Sequence, residues 1–172
     1  MNLSSAARVL AELRRRGETV ATAESLTGGL LGTLLTAVPG ASDGYVGGVI
    51  SYATRLKHSL AGVEPEILAS AGPVAGRTAG GMAAGVARRC ESDWGVATTG
   101  VAGPEPQDGH PVGEVYVAAA HPATDRVEVR ALQLTGDRSA IREAAAVSAI
   151  DLLADCLGLE GPESGGRLAD RT

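Results

Sequence analysis

Ser25 lies where a β-prone stretch, 19–22, runs into an apolar helical pattern, and a nucleophile is often placed at such a junction. The segment 24–29 reads Glu-Ser-Leu-Thr-Gly-Gly. The first turn of a helix has free backbone N–H groups and the positive end of a dipole, so it can stabilise a developing oxyanion. Ser25 or Thr27 could equally be an ordinary helix cap. The residues of this segment leave both interpretations open.

A serine nucleophile needs a base, and Lys57 is the best candidate in the chain. It is the only lysine among fifteen basic residues. A lysine accepts a proton when burial lowers its pKa, whereas arginine stays charged. Tyr52 precedes it by five residues and could relay a proton, stack on a ligand or fill the core. Lys57 as an ordinary surface residue also remains possible at this stage.

Known nucleotide and hydrolase signatures are missing around Ser25. No Gly-Lys-Ser/Thr ends the segment, and the glycines at 28, 29 and 32 do not have G-x-G-x-x-G spacing. The serine is not flanked as in the G-x-S-x-G elbow. Any chemistry here therefore needs partners from other parts of the chain.

The periodicity of apolar residues predicts an α/β fold: a three-layer α/β/α sandwich with a mixed, largely parallel sheet. Hydroxyl-bearing residues follow three of the strands, at Ser25, at 51–52 and at 98–99. Ligands of open α/β sheets bind beyond the carboxyl ends of the strands, so these residues should share one pocket. The predicted helices are 3–16, 30–37, 53–61, 65–71, 75–90 and 138–157, and the predicted strands are 19–22, 45–52, 94–99, 113–121 and 126–134. The apolar and β-branched residues of 45–52 indicate a buried strand, and the last two strands should form an antiparallel pair.

Length and composition favour one domain over residues 1–158, followed by a disordered tail over 159–172. The net charge of −5 and the scattered basic residues argue against nucleic acid as a partner. No apolar run reaches the roughly 20 residues that span a bilayer. Cys90 and Cys156 have no metal-ligand spacing, so we expect reduced thiols, a cytoplasmic location, no metal and no cofactor.

Two helices carry further expectations. Arg138 and Arg142 are four residues apart on the last predicted helix, so one face could hold an anion. The helix over 75–90 is rich in alanine and glycine and should pack very closely on the sheet or on a partner chain. We therefore expect a homodimer or a higher homo-oligomer.

Taken together, these residues resemble the CinA C-terminal domain family, the nicotinamide-nucleotide amidases, in the form without a further N-terminal domain. The matching stretches occur in order along nearly the whole chain. They are 22–29, Ser51-Tyr52 with Lys57, 72–74, 99–104, 111–113 and 136–138 with Arg142.

The resemblance implies hydrolysis of the carboxamide of nicotinamide mononucleotide to nicotinate mononucleotide and ammonia, in pyridine-nucleotide salvage. It implies Ser25 as the nucleophile, with Lys57 and Tyr52 handling its proton. Backbone N–H groups of 27–29 would stabilise the oxyanion. The residues expected to bind the substrate are Glu24, Thr27, Gly28, Gly29, Thr99, Gly100, Arg138 and Arg142.

The sequence departs from the family pattern at two places. Leu26 stands where the family often has cysteine, which excludes a thiol nucleophile there, and the loop 105–110 is less glycine-rich. Three alternatives therefore accompany the amidase hypothesis. They are a non-catalytic nucleotide-binding or regulatory module, an interaction protein and an amidase for another carboxamide.

Overall fold

A computed structural model describes residues 3–159 and shows a five-stranded sheet in the order β2-β1-β3-β4-β5. The pairs β2–β1 and β1–β3 are parallel, and β3–β4 and β4–β5 are antiparallel. Four of the five strands thus point the same way, which confirms the expected mixed α/β sheet. The strands are β1 (Val20–Glu24), β2 (Tyr45–Ile50), β3 (Trp94–Gly100), β4 (Glu114–His121) and β5 (Arg126–Gln133).

Six α-helices within the described residues cover both faces of this sheet. Helices α1, α2 and α6 share one core with Val20, Val96 and Val117, while α5 packs with Ala21, Ala97 and their neighbours on the opposite face. The helices are α1 (Ser4–Arg16), α2 (Leu30–Thr36), α3 (Thr54–Ser59), α4 (Pro65–Ala71), α5 (Gly76–Arg89) and α6 (Arg138–Cys156). The expected tail lies, apart from Leu159, outside the described residues.

The strand β2 was expected to be buried, and this expectation is wrong. Its residues alternate between half-buried and exposed, with Val46 at 48% and Ile50 at 52% exposure. The apolar run looked like a central strand, but β2 pairs only with β1 and forms an edge of the sheet. Sequence patterns report how apolar a strand is, and the order of strands decides what covers it.

The close packing expected of α5 is confirmed, and it occurs within the chain. A Cβ built on Gly85 would lie 1.9 Å from the carbonyl oxygen of Ala61, and one built on Gly95 of β3 would lie 1.9 Å from that of Ala83. Helix α5 thus makes direct backbone contacts on two sides, with the segment between α3 and α4 on one side and with β3 on the other. This contact compensates for the low helix propensity of glycine.

We predict that Gly85→Ala lowers the free energy of unfolding by about 1–3 kcal/mol, because the helix must move off Ala61 to admit a methyl group. Gly81→Ala on the same helix is the matched control. Its Cβ would meet Val63 at an ordinary 3.4 Å, so the gain in helix propensity should leave stability unchanged or higher. Urea unfolding measures both variants, and equal effects would contradict the packing argument.

Candidate active site

Ser25 and Lys57 are in direct contact inside the protein. Lys57 Nζ lies 2.8 Å from Ser25 Oγ and donates a second hydrogen bond of 3.1 Å to the carbonyl oxygen of Ser51. Ser25 follows β1 directly, and its N–H donates to the carbonyl oxygen of Thr98 on β3. Lys57 comes from α3, the short helix that follows β2. The two neighbouring strands β1 and β2 therefore bring a hydroxyl and an amine together.

Lys57 is buried, with only 2% of its surface exposed, so it is not the ordinary surface lysine that the sequence allowed. Its burial lowers the pKa of the ammonium group from 10.5 to about 8. No carboxylate within residues 3–159 forms an ion pair with it. A lysine in this state loses its proton far more readily than one in water, which suits a general base.

Glu24 was expected to contact a substrate, and the structure gives its carboxylate another role. The N–H groups of Gly29 and Leu31 donate to Oε2 at 2.9 and 3.1 Å. The N–H group of Gly32 donates to Oε1 at 2.8 Å. The buried carboxylate thus caps the first turn of α2, where unpaired N–H groups favour negative charge. Glu24 is a structural residue of the turn that holds Ser25.

The glycine pair is likewise not available as an oxyanion hole. The N–H group of Gly28 donates to the carbonyl oxygen of Ser25, and that of Gly29 is held by Glu24. The hydroxyl of Thr27 is buried and bonded to Thr98 Oγ1 at 2.8 Å. The expected ligand contacts of Gly28, Gly29 and the Thr27 side chain are therefore corrected to contacts inside the turn.

One backbone N–H group next to Ser25 remains available to a ligand. Within the described residues, neither Leu26 nor Thr27 has an acceptor for its N–H group. Leu26 lines the cleft that opens onto Ser25, whereas Thr27 is fully buried and does not line it. The residue after a nucleophile commonly supplies an oxyanion donor, and here its N–H group is unoccupied. The N–H group of Leu26 is therefore a better candidate for an oxyanion donor than those of 27–29.

Arg138 and Arg142 do not form one anion site. Arg138 Nη1 donates to the carbonyl oxygen of Gly103, and Nη2 donates to Tyr52 Oη at 3.1 Å, at the mouth of the cleft. Arg142 points instead to the turn after Ser25 and donates to two backbone carbonyls there. Four residues place two side chains on one helical face, but their own hydrogen bonds send them to different places.

Tyr52 lies in the cleft wall with 60% of its surface exposed, and its hydroxyl is bonded to Arg138. It is therefore not the core residue that the sequence allowed. Its hydroxyl makes no hydrogen bond to Ser25 or Lys57, so the geometry favours a ring presented to a ligand over a proton relay. The pairing with Arg138 fixes where this ring stands.

The cleft beside Ser25 encloses about 60 Å³, enough for a few water molecules or one small planar group. Thr99 and Gly100 line it, as expected, and Thr99 Oγ1 donates to the carbonyl oxygen of Pro73 at 2.7 Å. Sequence reasoning missed Gln107, which lines the cleft from the loop 105–110. Only the loop's unusual composition could have indicated it. The lining residues are Ser25, Leu26, Tyr52, Thr54, Lys57, Pro73, Val74, Thr99, Gly100, Ala102, Gln107 and Arg138.

The part of the chain that the structure describes contains no group of three or more His, Cys, Asp or Glu side chains placed to hold a metal ion. Cys90 and Cys156 are free thiols, and burial raises the pKa of both.

None of the helices within 3–159 is both long and apolar enough to pass through a bilayer.

The fold and cleft define an α/β protein with a buried serine–lysine pair at the carboxyl ends of two parallel strands. The model of the CinA C-terminal domain matches residues 2–157. The chain belongs to this family, as the sequence resemblance indicated.

Proteins similar to this chain carry the family name. A CinA-like protein of Frankia casuarinae is 51% identical over 145 residues, which cover 84% of this chain and 33% of that protein. A putative competence-damage inducible protein of a Geobacillus species is 46% identical over 130 residues, covering 76% of this chain and 31% of that protein. The chain therefore spans about a third of the length of these relatives.

Solved structures of the superfamily have the same fold. A CinA superfamily protein from Klebsiella pneumoniae aligns with a TM-score of 0.85 at 30% identity, covering 91% of this chain and 97% of that one. A competence/damage inducible protein from Agrobacterium tumefaciens aligns with a TM-score of 0.84 at 32% identity, covering 91% of this chain and 94% of that one.

We predict that Lys57 makes stability depend on pH in a defined window. The folded protein holds the lysine at a pKa of about 8, against 10.5 when it is unperturbed. Between these two pH values the unfolded chain binds more protons than the folded protein, so the free energy of unfolding rises with pH. Below pH 8 the ammonium group is charged in both states, and the full cost of burying it lowers stability. The free energy of unfolding of the wild type, measured relative to that of Lys57→Met, should rise by about 3 kcal/mol from pH 7 to pH 10.5. Urea unfolding at both pH values measures this, and a constant difference would contradict it.

Proposed function

We propose that this chain is a serine amidase that hydrolyses the carboxamide of nicotinamide mononucleotide to nicotinate mononucleotide and ammonia. The observation that carries the proposal is the 2.8 Å contact between Ser25 Oγ and the buried Lys57 Nζ. The substrate follows from the family resemblance, since the names of the relatives state no activity. The size of the cleft is compatible with it, because about 60 Å³ beside Ser25 has room for a carboxamide group.

Acylation begins with the neutral amine of Lys57. Ser25 Oγ attacks the carbonyl carbon of the carboxamide and gives its proton to Lys57 Nζ. The carbonyl oxygen becomes an oxyanion, and the free N–H group of Leu26 stabilises it. The C–N bond then breaks as Lys57 returns the proton to the leaving nitrogen. Ammonia departs, and an ester between Ser25 and the nicotinoyl group remains.

Deacylation repeats the same transfers with water as the nucleophile. Lys57 takes a proton from the water, which attacks the ester carbon, and then returns it to Ser25 Oγ as the ester bond breaks. The products are the free enzyme and a carboxylic acid, which releases its remaining proton to solvent to become nicotinate. The hydrogen bond to the carbonyl of Ser51 holds the amine in place through both steps. Lys57 can thus serve as base and acid in turn because its pKa lies near neutrality.

Tyr52 and Arg138 form the outer part of the proposed substrate site. The exposed tyrosine ring can stack on the pyridine ring, and its bond to Arg138 holds it there. Arg138 places a positive charge at the mouth of the cleft, where a phosphate of the substrate would lie outside the small inner space. Thr99 and Gln107 are further side chains that the carboxamide could contact.

We predict that Ser25→Ala and Lys57→Arg each lower ammonia release from nicotinamide mononucleotide by at least about a thousandfold. Alanine removes the nucleophile, while arginine keeps the charge but cannot give up its proton. An enzyme-coupled ammonia assay measures the rates, and thermal unfolding verifies that each variant is folded. Arg130→Met, at an exposed arginine paired with Asp155 outside the cleft, is the control and should keep full activity.

Two results would count against the amidase. Substantial turnover by Ser25→Ala would overturn the nucleophile. If the wild type releases no ammonia but the nucleotide raises its melting temperature, the protein is a nucleotide-binding module instead. Release from another carboxamide alone would keep the mechanism and change the substrate.

We predict that kcat/KM rises with pH and levels off above a midpoint near pH 8, because only neutral Lys57 in the free enzyme can accept the proton of Ser25. At pH 7 about a tenth of the molecules would carry the neutral amine. Initial rates from pH 6 to pH 10 test this. A flat profile across pH 8 would show that another group acts as the base.

A further inference from the structure

Arg142 reaches from α6 to the turn that follows Ser25. Its Nε donates to the carbonyl oxygen of Leu26 at 2.9 Å, and its Nη2 donates to that of Thr27 at 2.8 Å. Both arms of the guanidinium fork are therefore used on two consecutive carbonyls. The side chain is partly buried and does not line the cleft, whereas Arg138 does.

These bonds determine where the free N–H groups of the turn point. The peptide bonds of this turn are trans, so each N–H group points opposite to the carbonyl of its own peptide unit. The carbonyl of Ser25 is held by Gly28, and the carbonyl of Leu26 is held by Arg142. The peptide unit of the Ser25 carbonyl carries the N–H group of Leu26, which is the donor beside the cleft. The Gly28 N–H group that holds this carbonyl belongs to the peptide unit of the Thr27 carbonyl, and Arg142 bonds that carbonyl as well. Fixing the carbonyls thus fixes the donor.

The charge of Arg142 reinforces this chain of hydrogen bonds. A cation bonded to a carbonyl polarises the whole peptide unit and makes its N–H group a better hydrogen-bond donor. The carbonyl of Thr27 and the N–H group of Gly28 belong to one such unit, and that N–H group holds the carbonyl of Ser25. The same polarisation passes to the N–H group of Leu26, which shares a peptide unit with the Ser25 carbonyl.

Gly28 lies against this contact and sets the conformation of the turn. Its backbone is left-handed, with φ at +58°, and a Cβ there would lie at an ordinary 3.4 Å from Arg142 Nη2. The left-handed backbone, more than the space, favours glycine at this position.

We propose that Arg142 is a positioning residue for the oxyanion site: it acts through the backbone of residues 25–28 on the N–H group of Leu26 and does not touch the substrate. This inference rests on the proposed serine amidase. It reassigns Arg142 from the substrate anion, where spacing alone placed it, to the backbone that stabilises the transition state. Arg138 then supplies the positive charge at the mouth of the cleft.

The test compares Arg142→Met and Arg142→Lys with Arg130→Met in the full chain. We expect Arg142→Met to lower kcat by about 10- to 100-fold with KM changed less than about twofold, because the lost interaction operates in the transition state. Arg142→Lys keeps the charge but cannot bond both carbonyls, so its kcat should lie between that of Arg142→Met and that of the wild type. If Arg142→Met does not fold, Arg142→Lys provides the comparison with the wild type.

A boronic acid gives a readout that does not depend on the natural substrate. In 3-pyridineboronic acid, Ser25 Oγ bonds to boron as its proton passes to Lys57, which leaves a tetrahedral boronate anion that resembles the oxyanion. We expect Arg142→Met to weaken binding of the boronic acid by the same factor by which it lowers kcat. Nicotinamide forms no anion, so Arg142→Met should bind it with the same affinity as the wild type. Isothermal titration calorimetry measures both affinities.

The outcomes separate the two proposals. If the wild type binds the boronate and Ser25→Ala does not, but nicotinamide mononucleotide is not cleaved, the substrate is wrong and the role of Arg142 can still be measured. Nicotinamide riboside lacks the phosphate of the mononucleotide and separates the two roles of Arg142. If Arg142→Met leaves kcat unchanged and raises KM for nicotinamide mononucleotide but not for nicotinamide riboside, Arg142 binds the phosphate and the inference is overturned. If the wild type cleaves nicotinamide mononucleotide and Arg142→Met binds the boronate as tightly as the wild type, the role of Arg142 is overturned and the amidase is not.

Discussion

The burial of one lysine against one serine is the interaction on which the site depends. Lys57 is 2% exposed and has no carboxylate partner within residues 3–159, so its ammonium form is destabilised and its pKa falls to about 8. A buried charge without an ion pair lowers stability, and a protein retains one where the neutral form is useful. The hydroxyl of Ser25 and the carbonyl of Ser51 are what the amine contacts instead.

The turn after β1 is held from three sides so that Ser25 stays in that contact. Glu24 binds the first N–H groups of α2, Thr98 binds Ser25 and Thr27, and Arg142 binds two carbonyls from α6. Glu24, Thr27 and Arg142 were expected to contact a ligand. The structure uses them to orient the backbone, which leaves the N–H groups of residues 26–27 unoccupied. Orientation of fixed dipoles is an effective way to stabilise a developing charge.

The sequence by itself determined the α/β class, the helices and strands to within a few residues, and the pairing of β4 with β5. Apolar periodicity, glycine breaks and the Asp137 cap of α6 encode these features locally. The sequence also singled out Ser25, Tyr52, Lys57, Thr99, Gly100 and Arg138, because hydroxyl residues at strand ends and a solitary lysine are visible without coordinates. The structure places all six around one cleft.

Only the tertiary structure decided which of the other candidates face that cleft and which face the protein. Glu24, Gly28 and Arg142 have the residue types of a ligand site, but their hydrogen bonds join segments up to 116 residues apart in sequence. The exposure of β2 depends on its edge position, and the pKa of Lys57 depends on its burial. Spacing along a chain specifies the face of a helix, whereas burial and long-range hydrogen bonds arise only when the elements pack together.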